Sequence, residues 1–262
     1  WREQPERLNP TLQLKLFQLA ASGKLHKSED GFFVSVVPPE LFTKPKQTTV
    51  YTYLASGSLM AAYLDKHNIP FTIDRDPGLD VAQRLKAQEL LSVHQISALE
   101  NISMSHTKQG YMRGKAASKV STALKNLRSR QLRGIATDRI LITCRKDKWL
   151  DADDKAKGLF AHGSKLTAAN WIAKTTKGTN DYMHCSHAVH LTKLNLSPNI
   201  KSYLGAGKAF EKDWAVSELI QWVYRTALRN EEPVELYIAC GYMKSLLEEW
   251  LHEDDMVLEL AA

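Results

Sequence analysis

Short apolar runs rich in β-branched and aromatic residues alternate along this chain with stretches of helical periodicity. Strands that alternate with helices are typical of a parallel sheet, so this order predicts an α/β fold. The clearest strand–helix–strand unit has strands at 48–54 and 68–73 around a helix at 58–67. Further strands are predicted at 31–37, 139–143, 188–191 and 234–240, and further helices at 10–21, 214–228 and 241–251.

The segment at about 79–134 has a polar helical pattern and is predicted to be a helical insertion without a strand. It contains no acidic residue from 106 to 134, whereas residues 248–262 are crowded with Asp and Glu. A basic block attracts polyanions, because each phosphate contact releases condensed counterions. The predicted nucleic-acid contacts are Arg113, Lys115, Lys119, Lys125, Arg128 and Arg130. A solvated helix face is the alternative.

Composition narrows the class of protein. The chain is 44% apolar and 24% charged, which is typical of a folded globular protein rather than a disordered one. No apolar run approaches the roughly 18 residues of a membrane helix, so no membrane partner is expected. Three widely spaced cysteines predict reduced thiols and a cytoplasmic location. Because the chain begins at Trp1, we expect a fragment or a trimmed chain.

The sequence lacks the motifs of independent nucleotide hydrolysis. A GxxxxGK[ST] loop is absent, and the stretches at 110–115 and 205–208 match it only in part. The His and Cys residues at 184–190 would share a face in a helix, where they could bind zinc. That run has the pattern of a strand, which would separate them onto two faces, so no metal site is predicted.

The predicted helix at 214–228 carries a polar stripe beside its apolar one. Ser217, Gln221, Arg225 and Arg229 recur every four residues. An Arg side chain can grip two phosphate oxygens at once, so this stripe suits phosphate recognition. Surface salt bridges with Glu218 or Glu231 are the alternative.

Three segments of this chain resemble motifs of superfamily 2 helicases. The pattern Gln221-x-x-x-Arg225, followed by Arg229, resembles motif VI, although Tyr224 stands where Gly is usual. The segment 177–182 (KGTNDY) resembles motif V, and 49–54 with Ser56 resembles the strand and helix of motif IV. Their order over 46–251 is similar to that of the second RecA-like domain of helicases from bacteriophages and mobile elements.

The resemblance implies a fold and a set of residue roles. The fold would be a RecA-like three-layer parallel sheet with a helical insertion, between an N-terminal helix and connecting segment (1–45) and an acidic tail (252–262). Arg225 would be an arginine finger on the γ-phosphate of ATP, supported by Arg229 and Gln221. The residues expected to couple nucleotide to nucleic acid are Gly178, Thr179, Asn180 and Asp181, and those expected to touch the nucleic-acid backbone are Thr52 and Ser56.

The expected function is therefore the C-terminal half of an ATP-dependent helicase or translocase. ATP and Mg²⁺ would bind jointly with a Walker-containing RecA-like domain outside this chain, and DNA or RNA would be the track. Alone, the chain should not hydrolyse ATP, because it lacks the phosphate-binding loop. The alternative is a non-catalytic nucleic-acid-binding or adaptor protein with a helicase-like domain.

Overall fold

The computed structural model describes residues 14–27, 33–176 and 178–253, which form two compact units. The first unit contains the described residues up to Ile73 together with Leu196–Trp214. The second contains Asp74–Asn195 and the described residues from Ala215 onward. The boundaries predicted from the sequence fall after residues 45 and 251. The predicted helix start at 10–13 and the tail at 254–262 lie outside the described residues.

The second unit holds most of the helices and strands. In chain order, the elements of both units are α1 (Leu14–Ala21), β1 (Leu25–Lys27), β2 (Phe33–Ser35), α2 (Glu40–Thr43), α3 (Leu59–Lys66), α4 (Pro77–Leu90), β3 (Leu91–Gln95), α5 (His106–Tyr111), α6 (Gly114–Ser129), β4 (Ile140–Thr143), α7 (Lys146–Trp149), β5 (Asn170–Trp171), β6 (His187–His190), α8 (Pro198–Leu204), α9 (Lys208–Val223), β7 (Val234–Ile238) and α10 (Gly241–Leu251). Short 3-10 helices cover Ala55–Gly57, Ser97–Leu99, Thr137–Arg139 and Ala227–Asn230.

A five-stranded parallel sheet, in the order β3-β7-β6-β4-β5, forms the centre of the second unit. Strands β4, β6 and β7 are almost wholly buried, as expected when helices cover both faces of a parallel sheet. Helix α6 contributes Val120 and Leu124 to the same core as Ile142 of β4. On the opposite face, Trp222 of α9 lies edge-on against His190 of β6. The predicted α/β class with a parallel sheet is confirmed.

Four elements of the second unit lie close to where the sequence predicted them. β4, β6, β7 and α10 form where the runs at 139–143, 188–191, 234–240 and 241–251 predicted them. The longest described helices, α6 and α9, have 16 residues each. Among the described residues, no helix combines the length and apolar character needed to cross a membrane.

The predicted strands at 48–54 and 68–73 are wrong. Both segments lie within the fully described range 33–176, and neither has strand structure. Tyr51 is 94% exposed, and in the described residues the first segment pairs with no strand. Leu54 (φ 49°) and Asn68 (φ 50°) adopt left-handed conformations that interrupt an extended backbone. The strand–helix–strand unit predicted there does not exist, and the sheet is made by later residues.

The insertion predicted at 79–134 is also wrong in one respect, because it contains strand β3. The sequence LSVHQ alternates buried and exposed positions at the edge of the sheet, so it lacks the continuous apolar run of an inner strand. The two-residue strand β5 forms the other edge and was not predicted either. Helices α5 and α6 therefore belong to the crossover that connects β3 to β4 in the same sheet, and they are not an insertion.

The helix predicted at 214–228 ends at Val223. Thr226 explains the ending, because its hydroxyl donates to the Val223 carbonyl (2.6 Å) and accepts from the Leu228 N–H (3.5 Å). This caps the 3-10 helix Ala227–Asn230 in place of further α-helical turns. The predicted polar stripe is therefore broken after Gln221, since Arg225 and Arg229 lie beyond the helix.

The first unit consists of helices α1, α2, α3 and α8 with the antiparallel pair β1–β2, together with the first turns of α9. Its centre is a ring cluster in which His67 Nε2 lies 2.7 Å from the Tyr203 hydroxyl and the Tyr63 and His67 rings are 4.3 Å apart. Gly57 lies against the backbone of α9, since a Cβ there would come within 2.7 Å of the Asp213 carbonyl.

Candidate functional site

Helix α6 presents two chemically distinct faces. Its apolar side chains at Ala117, Val120, Ala123, Leu124 and Leu127 are buried at the three- and four-residue spacing of a core-facing stripe. The opposite face exposes Lys115, Ser118, Lys119, Thr122, Lys125 and Asn126. The basic block of the sequence is thus an anchored helix with an outward lysine-bearing face.

Two adjoining depressions run beside α6, which we call together the α6 groove. The smaller has a volume of about 410 Å³, and its lining includes Lys115, Ser118, Lys119 and Thr122. The larger, of about 740 Å³, extends to Arg130 and to the edge of the sheet at His94, Glu235 and Tyr237. They share the lining residues Ala98, Ala123 and Asn126, so they adjoin along the helix.

The charge of the α6 groove is predominantly positive. Lys115, Lys119 and Arg130 are among its lining residues, and the one lining carboxylate is Glu235, which lies 2.5 Å from His94 Nε2. In the described part of the chain, no salt bridge neutralises any of the three cations. Their charge is therefore available to an anionic ligand.

The other predicted nucleic-acid contacts lie in different settings. Arg113 folds back at the start of α6, where its Nη1 donates to the carbonyls of Gly110 and Met112, both at 2.8 Å. Arg128 donates to the Leu132 carbonyl beyond the end of the helix. Lys125 is exposed on α6 but does not line the groove. Thr52 and Ser56 are exposed in the first unit, and the strand that was to carry Thr52 is absent.

The carboxyl edge of the sheet is where open α/β sheets usually bind ligands, at the point where successive connections diverge. Here β4 and β6 are neighbours in the sheet. After β6 the chain continues to β7 on one side, and after β4 it continues to β5 on the other side, so the crevice is expected between β4 and β6. One side chain, Gln109 of α5, fills it and is completely buried.

Gln109 satisfies backbone groups on both sides of the crevice. Its Nε2 donates to the carbonyls of Met104 and Leu191, each at 2.9 Å, and its Oε1 accepts from the Arg145 N–H at 2.9 Å. Leu191 follows β6 and Arg145 follows β4 closely, so the amide joins the two diverging chains. The usual ligand crevice is thus closed by the protein itself. The sequence offered no signal for this role, since Gln109 belongs to no motif.

A buried polar pair lies at the same edge, on the face that packs against α9. Thr143 of β4 and His190 of β6 are register neighbours, and both are completely buried. Among the described residues, neither the Thr143 hydroxyl nor either ring nitrogen of His190 has a hydrogen-bond partner. Burial, together with the charge of Lys174, lowers the pKa of His190 to about 3. His190 is therefore a neutral imidazole at physiological pH.

The segments that resemble motifs V and VI meet in the structure. Arg225 is 6% exposed, and its Nη1 donates to the Thr179 carbonyl at 3.0 Å. Thr179 donates to the Asp181 carboxylate at 2.7 Å, and Gly178 adopts a left-handed turn, while Asn180 is exposed. Gln221 donates to Ser217 within α9. Of the two arginines, only Arg229 is exposed.

The His and Cys side chains at 184–190 do not gather at one point, because part of this run is the extended strand β6. His184 Nε2 lies 3.0 Å from the Asp138 carbonyl before β6 begins, whereas His190 is completely buried at the end of β6. Burial raises the pKa of the Cys185 thiol to about 11, so it is an unreactive thiol. No three His, Cys, Asp or Glu side chains in the described ranges gather closely enough to hold a metal ion.

A parallel five-stranded sheet flanked by helices is consistent with a Rossmann-like domain, and comparison with known families gives that class. The family described as "YonV C-terminal Rossmann-like domain" matches residues 83–251, more than half of the 262 residues. The chain belongs to this family. The matched range contains the whole parallel sheet, the α6 groove and the crevice filled by Gln109.

One curated relative is the SPbeta prophage-derived uncharacterized protein YonV of Bacillus subtilis (strain 168). It is 32% identical over 97 residues, which make up 35% of this chain and 24% of the relative. The chain thus spans about a quarter of the length of this relative. No solved structure matches the chain.

Proposed function

We propose that this chain is a nucleic-acid-binding Rossmann-like domain that holds a phosphate backbone along the α6 groove. The observation that carries the proposal is a pair of adjoining depressions whose three lining cations have no salt-bridge partner in the described residues. A polyanion that enters such a groove gains affinity from the release of its condensed counterions.

The neutral side chains of the groove support the same ligand. Ser118, Thr122 and Asn126 line the groove together with the lysines, and hydroxyl and amide groups commonly donate to phosphate and sugar oxygens. These contacts position a backbone without reading its sequence.

Replacing both groove lysines should weaken binding and reduce its dependence on salt. The variant Lys115→Ala/Lys119→Ala removes about two phosphate contacts, so the slope of log affinity against log salt should fall by about 1.4 to 1.8. Fluorescence anisotropy of a labelled oligonucleotide over a salt series measures both quantities. At low salt we expect a loss of affinity of about tenfold.

The matched control is Lys155→Ala/Lys157→Ala, which makes the same change in net charge. Both lysines are exposed, and they pair with Asp153 and Asp151 at 3.7 Å, away from the groove. This variant should bind as the wild type does. Equal losses in the two variants would show that net charge, rather than the α6 groove, governs binding.

A second candidate is the C-terminal half of an ATP-dependent helicase or translocase. The observation that favours it is the hydrogen bond from Arg225 to Thr179, which joins the two segments on which the helicase resemblance rests. In this arrangement Arg225 would position the 178–181 loop, and Arg229 would be the guanidinium accessible to a nucleotide on a neighbouring domain. The prophage origin in the relative's name is compatible with the resemblance to bacteriophage proteins.

Nucleotide dependence separates the two candidates. The chain is joined to a Walker-containing RecA-like domain, and its affinity for an oligonucleotide is measured with and without ATP and Mg²⁺. A binding domain should show the same affinity in both conditions. A motor half should change its affinity when ATP closes the two domains, and Arg229→Ala should remove that change.

A further inference from the structure

We propose that the α6 groove contains a base-binding subsite, in which one unpaired base stacks on the imidazole ring of His94. This inference rests on the proposed function. It adds that a base of the nucleic acid, and not only its phosphate backbone, is bound in the groove. It assigns a role to an edge-strand residue that no motif singled out.

His94 lines the larger depression, and two neighbouring side chains hold its ring. It stacks on Tyr237 of the neighbouring strand, with ring centroids 5.0 Å apart and planes inclined by 24°. Its Nε2 lies 2.5 Å from the Glu235 carboxylate, which fixes the ring's rotation. Tyr237 is buried, whereas the His94 side chain remains 46% exposed. Because Tyr237 stacks on one face and Glu235 binds an edge, we assign the stacking of a base to the other face.

The distribution of charge sets the orientation of a bound strand. Lys115 and Lys119 lie along α6 and Arg130 just beyond its end, while Glu235 lies beside His94 at the sheet. Phosphates are attracted to the cations and repelled by Glu235, so the backbone should follow the helix and the bases should point towards the sheet. The depression at His94, about 740 Å³, falls within the size range of pockets that enclose small organic molecules.

Stacking on His94 requires an unpaired base. In a duplex, neighbouring base pairs cover both faces of each base, and a protein ring can reach a face only when the base leaves the stack. Stacking platforms inside positively charged grooves are how proteins hold single strands without sequence preference. The geometry therefore points to a single strand rather than a duplex as the occupant.

The test compares short oligothymidylate with an abasic backbone of the same length and with a hairpin duplex, by anisotropy at one fixed salt concentration. Wild-type protein should bind oligothymidylate at least about fivefold more tightly than the abasic backbone. His94→Ala should abolish that preference, and His94→Phe should retain it, because phenylalanine keeps the stacking face. Since His94 is half exposed, thermal unfolding should show that both variants fold.

The outcomes separate this inference from the function on which it rests. If oligothymidylate and the abasic backbone bind equally, and Lys115→Ala/Lys119→Ala weakens both, the groove binds phosphate and the base-binding subsite is wrong. A preference for oligothymidylate that survives His94→Ala, or tighter binding of the hairpin, also overturns the subsite. If none of the three ligands binds in a salt-dependent manner, both proposals fail.

Discussion

Gln109→Leu should lower the free energy of unfolding of this protein by about 3 kcal/mol. Leucine is similar in size to glutamine but forms no side-chain hydrogen bonds, so the substitution leaves the Leu191 carbonyl and the Arg145 N–H without the bonds that Gln109 makes to them. The Met104 carbonyl loses its bond from Gln109 but keeps the one from the Lys193 N–H, at 2.8 Å. Each buried polar group that loses its partner costs about 1 to 3 kcal/mol, and partial entry of water offsets some of the sum. Urea unfolding followed by circular dichroism measures the change.

The control is Gln131→Leu, at an exposed glutamine of the groove, which should change stability by no more than about 0.5 kcal/mol. Hydrogen exchange gives a local readout, because the Arg145 amide should lose protection in Gln109→Leu more than the amides of strand β7 do. Unchanged stability together with unchanged exchange at Arg145 would contradict the role of Gln109 in closing the β4–β6 crevice.

Acid should destabilise the wild-type protein through His190. In the unfolded chain this histidine has an ordinary pKa of about 6.5. Burial lowers its pKa to about 3 in the folded state. Between these values the unfolded state binds a proton that the folded state does not, so stability falls as pH falls, by about 1.4 kcal/mol per pH unit. Between pH 7 and pH 5 the loss from His190 should be about 2 kcal/mol.

Two substitutions isolate the contribution of titration from that of packing. His190→Phe and His190→Gln differ in shape and polarity, so they should differ from each other in stability at pH 7. Neither can bind the proton, so both should lose about 2 kcal/mol less than the wild type between pH 7 and pH 5. Urea unfolding at the two pH values gives the comparison. A wild-type loss equal to that of both variants would show that His190 does not carry the acid sensitivity.

The sequence predicted the inner strands well because their burial depends on composition. β4, β6 and β7 are nearly continuous apolar runs, and such a run gains free energy in any sheet that helices cover on both faces. The segment at 48–54 has a similar composition, yet Tyr51 is 94% exposed and no strand forms. A strand needs a hydrogen-bonding neighbour, and the presence of that neighbour is a property of the tertiary structure.

The candidate site was predictable in its charge but not in its shape. The sequence identified a basic helix, and three of the six predicted cations, Lys115, Lys119 and Arg130, line the α6 groove. Arg113 and Arg128 have similar sequence surroundings, but they bind nearby backbone carbonyls. Such hydrogen bonds form only where a nearby backbone carbonyl points towards the guanidinium, and the pattern of charges along the sequence does not show this.

By itself, the sequence determined the α/β class, the buried strands and the separation of a basic segment from an acidic one, because these follow from composition and periodicity along the chain. Only the tertiary structure decided which residues share a site. Parallel pairing of β3 with β7 places His94 opposite Tyr237, and α6 packs over that edge with its lysines outward. The same packing seats Gln109 between β4 and β6. These contacts join residues distant in sequence, and their energies come from burial and hydrogen bonds that exist only once the sheet is assembled.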